Sequence, residues 1–387
     1  MDDCKLYDAI GGSAGCRKLS ESFYARVMQD PVLRPLFPGK TMKCAIEEFG
    51  AFLVQFLGGP SPDTQDRWWL SLRESHLRFR IGRKERDAWM KNMAWALDDA
   101  PIEESARNAL RGLFERSSAY VVNSDELPAE QGSGPPCDNS SEPIHEEVAR
   151  RWTSQLLLDD AVAAVRSDAA DRAIALAEDS TLQGLLQRKR AVLAALLAVM
   201  IGNGDDAMVE YVREKLLADP ALAHERYSRG RTLLHAAAAA GNPGIVTLLL
   251  RLGAEPDTRE AGGHSALYCV ANEYKGPAGG DVVRALVQAG ANVDACDGVK
   301  HCTPLHMAAR RGNVEVARAL LDCGAGIEVG DSAGDTPLRR AVNCDKPDVA
   351  ALLLARGSDR HSIGSKGLTP FTAARSSAMR RLLQRGG

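Results

Sequence analysis

The 387-residue sequence has no long apolar run and almost no net charge. Its longest continuous apolar stretch, 191–201, is well short of the roughly 20 residues that a membrane-spanning helix needs, so no membrane partner is expected. The formal net charge of −3 argues against a nucleic-acid-binding surface. The amino-terminal residues have neither the basic nor the apolar segment of a secretory signal, which predicts that the protein is not exported.

The nine cysteines also lack any paired pattern. They are odd in number and scattered from Cys4 to Cys344, without a C-x-x-C pair. This arrangement argues against both a disulfide framework and a structural zinc site. It favours a reducing compartment, and the expected location is therefore cytoplasmic.

The chain is longer than a typical domain of about 100–200 residues, so two or three units are expected. Residues 124–143 contain four prolines and little apolar periodicity, which predicts a flexible linker. Before it, apolar residues recur at helical spacing, as in Phe23 and Val27, and residues 1–123 are predicted to form an all-α domain. Residues 144–197 are rich in strong helix formers and are interpreted as a helical connector or cap.

One motif returns five times in the last part of the chain. Its copies are Thr232-Leu-Leu-His, Ser265-Ala-Leu-Tyr, Thr303-Pro-Leu-His, Thr336-Pro-Leu-Arg and Thr369-Pro-Phe-Thr, with starts 33, 38, 33 and 33 residues apart. The pattern resembles the ankyrin repeat, in which stacked helix pairs form an α-solenoid. The predicted repeats are 232–264, 265–302, 303–335, 336–368 and 369–387, preceded by a degenerate repeat at 198–231.

The motif residues indicate how each repeat begins and ends. A threonine hydroxyl can cap a helix, and a proline in the next position lacks the N–H group that would stay unpaired there. The second helix of four repeats is expected to end at a glycine in the left-handed conformation: Gly253, Gly290, Gly324 and Gly357. An insertion between Glu273 and Gly280 is expected to lengthen the turn between two helices of one repeat.

Partners of such an array bind its inner helices and loop tips. Seven side chains are expected to be exposed there as candidate contacts: Tyr268, Glu273, Tyr274, Arg310, Arg311, Arg339 and Arg340. The arginine pairs at 310–311 and 339–340 suggest a basic ridge for an acidic protein partner.

Residues 1–123 contain no Gly-rich phosphate loop. They contain, in order, Leu6-Tyr-Asp-Ala-Ile-Gly-Gly, Ser22-Phe-Tyr-Ala-Arg-Val-Met, Leu36-Phe-Pro, Phe49-Gly-Ala-Phe, Leu72-Arg-Glu-Ser-His and Glu85-Arg-Asp-Ala-Trp. Together these segments closely resemble the group II truncated haemoglobins. The resemblance implies a two-over-two helical sandwich around haem b.

The resemblance also implies roles for single residues. His76 matches the proximal histidine that binds the iron, and Tyr24 and Trp89 match the distal hydrogen-bond donors. Ala45 stands where other globins carry a distal histidine, and Phe49 is expected to line the ligand pocket beside it. The remaining expected haem contacts are Phe37, Arg73, Arg78, Phe79 and Ile81, with Phe49 and Trp89 facing the haem as well. Arg80, next to these, is a further candidate partner of the haem propionates.

The sequence departs from the family at three places. Trp68 and Trp69 stand where the family often has Gly-His-Pro, and Leu77-Arg-Phe-Arg-Ile81 stands where it has L-P-F-P-I after the proximal histidine. Phe37 replaces a tyrosine or histidine, which leaves Tyr24 and Trp89 as the expected donors to a bound ligand.

Three functions are compatible with this sequence. In the first, the globin binds O₂, CO or NO and the ankyrin repeats direct or report that binding through a protein partner. In the second, the globin is an enzyme, an NO dioxygenase or a peroxidase, supplied with electrons by a partner reductase because the chain has no flavin or nicotinamide motif. In the third, the protein is a scaffold that holds no haem.

Overall fold

Helices and turns make up almost all of the regular structure. The computed structural model describes residues 5–37, 39, 41–59, 72–77, 79–124, 143–364 and 367–384. Within these ranges there is one isolated antiparallel bridge, between Tyr227 and Arg231, and no extended sheet. The all-α prediction is therefore confirmed. None of the helices described is long and apolar enough to cross a membrane.

The described chain divides into two compact units. The first contains the residues up to Ala163 together with Ala175–Leu185, and the second contains Ala164–Ile174 together with the residues from Leu186 onward. Only the two ends of the predicted linker, residues 124 and 143, lie among the described residues.

Six α-helices are described in the first part of the first unit, between residues 5 and 124. They are α1 (Lys5–Ala9), α2 (Gly12–Val27), α3 (Lys43–Phe56), α4 (Leu72–His76), α5 (Arg83–Asp99) and α6 (Glu104–Tyr120). Helix α2 packs on both α3 and α5, and α5 packs on α6. The apolar residues of α2 that recur at helical spacing, Leu19, Phe23 and Val27, are all buried in the resulting core. Two helix pairs, α2–α3 and α5–α6, therefore enclose this core, as the expected two-over-two sandwich requires.

Three further helices follow, and they do not form one separate connector. They are α7 (Pro143–Arg166), α8 (Ala170–Ala177) and α9 (Ser180–Arg188). Helix α7 belongs to the first unit as far as Ala163, and Trp152 from it lies in the same hydrophobic core as Phe23. An indole at this position covers apolar surface that the first six helices leave open. The first unit thus extends beyond the residues expected for it.

The second unit consists of helix pairs. The helices are α10 (Arg190–Asn203), α11 (Asp206–Ala218), α12 (Leu233–Ala240), α13 (Pro243–Arg251), α14 (Ala266–Glu273), α15 (Gly279–Gln288), α16 (Pro304–Arg311), α17 (Val314–Asp322), α18 (Pro337–Asn343), α19 (Pro347–Ala355), α20 (Pro370–Ala373) and α21 (Ser377–Gln384). The first helix of each pair packs on the first helix of the next pair, and the second helix packs on the second. Helices α10 and α11 stack on α12 and α13 in the same way.

The motif residues start and stop these helices as the sequence predicts. The hydroxyls of Thr303, Thr336 and Thr369 each accept a hydrogen bond from the backbone N–H three residues on, and each is followed by a proline. The four glycines expected to end the second helices all have positive φ, between 86° at Gly324 and 95° at Gly290. The start of each repeat is thus fixed by its own residues.

Three of the seven expected contact side chains are not available for a partner in the way the sequence suggested. Tyr268 is only 7% exposed, and its hydroxyl donates to Asp297. Arg339 is 2% exposed, and Arg340 binds the buried carboxylate of Asp331 through two nitrogens. Burial alone would raise the pKa of Asp331, but the hydrogen bonds that Arg340 and two backbone amides donate to it lower that pKa overall. The basic ridge across both arginine pairs is therefore wrong.

The remaining expected contacts divide into two groups. Arg310 and Arg311 are exposed, and so is Glu273, which forms an ion pair with Arg231 at 3.2 Å. The insertion is not an open loop, because Tyr274 is half-buried and its carbonyl accepts a hydrogen bond from Asn313 at 2.9 Å. Only the exposed members remain candidates for binding a partner.

Candidate functional site

A cavity of about 830 Å³ lies within the first unit. This volume is within the range of roughly 300–1,000 Å³ that is typical of small-molecule and cofactor sites. The expected site residues that line it are Tyr24, Phe37, Ala45, Phe49, His76, Phe79, Ile81 and Trp89. Arg78 and the side chain of Arg73 lie outside the described residues. The structure thus brings together every expected site residue whose side chain it describes.

His76 is the last residue of α4, and its ring orientation is fixed by its own helix. The ring Nδ1 lies 2.8 Å from the carbonyl oxygen of Leu72 and 2.9 Å from the hydroxyl of Ser75. A carbonyl oxygen only accepts hydrogen bonds, so Nδ1 carries the proton, and the lone pair of the neutral ring is then on Nε2. Imidazole in this tautomer is the form that binds a metal through Nε2.

The segment after His76 is held by Asn123, a residue that the sequence analysis did not single out. Its side-chain oxygen accepts the N–H of Ile81 at 3.0 Å, and its amide nitrogen donates to the carbonyl of Phe79 at 2.9 Å. The same nitrogen lies 3.3 Å from the carbonyl of His76. One side chain therefore orders the backbone that presents Phe79 and Ile81 to the cavity. A single Asn outside any motif gave no signal of this role.

Tyr24 and Trp89 reach the cavity from α2 and α5 through a cluster of aromatic rings. The Tyr24 ring centroid is 5.5 Å from that of Phe37 and 6.2 Å from that of Phe49, both at near-perpendicular angles. The indole of Trp89 lies 5.1 Å from Phe23 and 6.4 Å from Phe49. These contacts fix the rings, so the phenol O–H and the indole N–H are carried on rigid supports in an apolar surrounding.

Phe37 is positioned by the turn that follows α2. Asp30 accepts the backbone N–H groups of Val32 and Leu33 at 2.8 and 3.0 Å, and its other oxygen accepts from Asn92 of α5 at 2.8 Å. Burial works against ionisation of this carboxyl, but these hydrogen bonds outweigh it and lower the pKa of Asp30. Arg34 then binds the carbonyl of Phe37 with its guanidinium. The loop that carries Phe37 is therefore tied to α5.

Among the residues whose side chains are described, two arginines line the cavity, and the sequence signalled only one of them. Arg80, in the expected set beside His76, is exposed and lines the cavity. Arg86 of α5 also lines it, and its Nε is buried without a hydrogen-bond partner among the residues described. Leaving a buried charged donor unsatisfied is costly, which makes this nitrogen a place for an anionic group.

The cavity fits a haem group. Its lining is mostly aromatic and aliphatic, its one imidazole has the lone pair on Nε2, and a buried arginine nitrogen needs an acceptor such as a carboxylate. An apolar cleft, a nitrogen ligand and a cation for a propionate are the three features that haem binding uses. The fold and this site together define a haem-binding class of protein, a globin.

Comparison with known proteins agrees with this class. A model of the bacterial-like globins matches residues 5–123. The group 2 truncated hemoglobin YjbI of Bacillus subtilis is 36% identical over 120 residues, which are 31% of this chain and 89% of that protein. The group 2 truncated hemoglobin 3-1 of Lotus japonicus is 28% identical over 146 residues, covering 37% and 86% of the two chains. Through this domain, the chain belongs to the group 2 truncated haemoglobins, and this family implies haem.

The second unit matches a different family. A model of ankyrin repeats matches residues 195–297 and 274–363. SH3 and multiple ankyrin repeat domains protein 2 of Homo sapiens is 32% identical over 151 residues, which are 38% of this chain but 8% of that protein. The matched part is thus a small fraction of that protein's length. The protein is therefore a truncated globin joined to ankyrin repeats, a type of domain that binds other proteins.

Proposed function

We propose that the first unit binds haem b in the cavity, with His76 as the iron ligand, and that it binds O₂ or another diatomic molecule there. The observation that carries the proposal is the hydrogen bond of 2.8 Å between Nδ1 of His76 and the Leu72 carbonyl. It selects the tautomer in which Nε2 carries the lone pair. Metal-binding histidines in proteins are held by such a bond, which fixes the ring and makes it a better ligand.

The residues around His76 support the same function. When bound, haem iron with a neutral histidine on one side supplies an open position for O₂, CO or NO. Tyr24 and Trp89 line the same cavity and carry the donors that would hold such a ligand. Ala45 puts no imidazole into the cavity, which favours an open sixth position. Phe49 closes the pocket with an apolar surface.

We further propose that the ankyrin unit brings the globin to a protein partner or reports its ligand state. Stacked repeats present inner helices and loop tips as a continuous binding surface. Arg310 and Arg311 lie on α16 and are exposed. Of the basic side chains expected to contact a partner, these two remain candidates for binding an acidic protein. The identity of the partner is a matter for capture experiments.

An absorption spectrum of the full chain tests the haem proposal. The purified chain loaded with haem is expected to show a strong Soret band in the ferric, ferrous and CO-bound forms. His76→Ala is expected to remove the histidine-ligated ferrous and CO spectra, whereas His361→Ala, at an exposed histidine of the second unit, leaves them as in the wild type. Histidine-ligated spectra in the His76→Ala chain would overturn the assignment.

A further inference from the structure

Helix α7 lies outside residues 5–123, which the globin family model matches, yet it is part of the core of the first unit. Trp152 is 8% exposed, and its ring lies 5.8 Å from that of Tyr120 of α6, nearly perpendicular to it. The family model ends at residue 123. The contacts of α7 are therefore a property of this chain rather than of the matched family segment.

Two polar contacts of α7 reach the helices on either side of residues 60–71. Arg151 donates from Nη1 to the carbonyl of Phe56, the last residue of α3, at 3.3 Å. Asp159 accepts the backbone N–H of Leu72, the first residue of α4, at 3.0 Å. Because α4 ends in His76, the second contact holds the N-terminus of the helix that carries the proposed iron ligand.

A short chain of hydrogen bonds joins Asp159 to the His76 ring. Asp159 binds the N–H of Leu72, and the carbonyl of the same residue lies 2.8 Å from Nδ1 of His76. Asp159 is only 3% exposed, and Gln155, one turn earlier on α7, donates to the same carboxylate oxygen at 2.8 Å. Leu72 itself is buried in the core. Every link in this chain is thus fixed by packing.

We propose that Asp159 is a positioning residue for His76: by holding the first amide of α4, it keeps the Leu72 carbonyl in line with Nδ1 of the imidazole. The inference rests on the proposed function in one respect, namely that His76 binds the iron. A carboxylate that accepts an amide proton makes one of the stronger hydrogen bonds in proteins. Helix α4 has a single turn and cannot hold its own first amide, since that group has no partner within the helix.

Through this arrangement α7 acts on His76, although Asp159 does not itself line the cavity. A histidine that donates through Nδ1 to a well-placed carbonyl is a stronger electron donor at Nε2. Loss of the Asp159 contact lets α4 fray and weakens that donation. The strength of the iron–histidine bond is then set in part by a helix that the globin family segment does not contain.

The test uses the full chain with three variants. Asp159→Leu removes the acceptor and puts a larger apolar side chain in its place, and Asp159→Asn keeps the volume and an oxygen that can accept the Leu72 amide. Ser154→Ala is the matched control, because Ser154 is also buried in α7 but bonds only to the carbonyl of Arg150 in its own helix. Far-UV circular dichroism verifies that each variant is folded.

The first readout needs no haem. Hydrogen exchange of the haem-free chain, followed by mass spectrometry on a peptide that begins several residues before Leu72, is expected to be at least about tenfold faster at this amide in Asp159→Leu. Exchange in Asp159→Asn and Ser154→Ala is expected to stay close to that of the wild type. A peptide ending at Gly59 reports on α3 as an internal reference.

The second readout is the iron–histidine stretching band of the ferrous, haem-loaded chain by resonance Raman spectroscopy. It is expected at lower frequency in Asp159→Leu and at the wild-type frequency in Asp159→Asn and Ser154→Ala. A folded Asp159→Leu chain with wild-type exchange at Leu72 and a wild-type band overturns the inference. If the wild-type chain binds no haem, the proposed function fails, whereas the exchange experiment still decides whether Asp159 holds α4.

Discussion

Acidification from pH 7 to pH 5 is expected to destabilise the ankyrin unit through His235. The ring is fully buried; its Nδ1 accepts the backbone N–H of Thr232 at 3.1 Å, and its Nε2 donates to the carbonyl of His264 at 3.2 Å. A protonated ring has a donor on both nitrogens and cannot accept the Thr232 amide. Burial lowers the pKa of His235 to about 4, and the positive charge of Arg231 acts in the same direction.

The sign and size of the effect follow from proton linkage. In the unfolded chain a histidine titrates near pH 6.5, so between pH 6.5 and pH 4 the unfolded chain binds a proton that the folded chain does not. The contribution of His235 to the free energy of unfolding is therefore fully present above about pH 6.5. It is lost as the pH falls through this window. Between pH 7 and pH 5 the loss for His235 is about 2 kcal/mol. Nδ1 of His306 likewise accepts the backbone N–H of Thr303, three residues earlier, and burial lowers the pKa of His306 too. Its contribution to the loss of stability therefore has the same sign.

Urea unfolding at pH 7 and pH 5 measures this loss. All five tryptophans lie at or before Trp152, so tryptophan fluorescence follows the first unit while far-UV circular dichroism follows the helices of both. His235→Gln is expected to be less stable than the wild type at pH 7 but to lose about 2 kcal/mol less on acidification. His361→Gln, at an exposed histidine, is the control for general effects of acid. Equal losses in the two variants would refute the reasoning.

Two further predictions concern the cavity and the repeats. Tyr24→Phe removes one hydroxyl but keeps the ring contacts. It is expected to speed O₂ release by roughly 5- to 150-fold, the effect of losing one hydrogen bond, as measured by stopped flow. An unchanged rate would contradict the role of Tyr24 as a donor. Gly241→Ala is expected to destabilise the second unit in urea by about 1–3 kcal/mol more than Gly324→Ala, because both glycines have positive φ but only at Gly241 would a Cβ meet the Tyr274 ring, at 2.2 Å. Equal losses in the two alanine variants would argue against that clash.

Much of the fold was predictable because it depends on local rules. Each repeat motif starts with a Thr or Ser at the N-terminal cap of its first helix. Thr303 and Thr336 are each followed by a proline. Such signals act within a few residues, so the sequence alone reveals them. The family resemblance also named eight of the residues that line the cavity, among them Tyr24, His76 and Trp89, although it gave no signal for others such as Arg86.

The burial of Tyr268 and Arg339 was missed, although the motif contained a signal for it. Both stand at the fourth position of the repeat motif, where His235 and His306 are buried and bond to the last backbone carbonyl of their own repeat, just before the next repeat begins. Arg339 makes the equivalent contact with the carbonyl of Leu368. Where a position of the motif is buried in other repeats, a polar residue at that position should be assigned a partner near the end of its own repeat before it is assigned to solvent.

Other features could not be predicted because they depend on contacts between residues far apart in the chain. Asn123 binds the backbone 42 residues before it, and Asp159 binds an amide 87 residues before it. Neither belongs to a repeat or a motif, and an isolated Asn or Asp is most often a solvated surface residue. Periodicity reveals which face of a helix is buried, but it does not reveal which distant backbone group that face meets.

The extent of the globin unit shows the difference between a shared sequence segment and a folding unit. The family match ends at residue 123, where the backbone N–H of Asn123 still bonds to Ile81 beside the cavity. Trp152 then contributes one of the large side chains of the same core, and its burial stabilises the first unit in proportion to the apolar area removed from water. Family models report what related chains have in common, whereas a core includes whatever apolar surface the individual chain supplies. In this protein α7 reaches the start of α4 from beyond the residues that the family model matches, and it is this contact through which we propose that Asp159 positions His76.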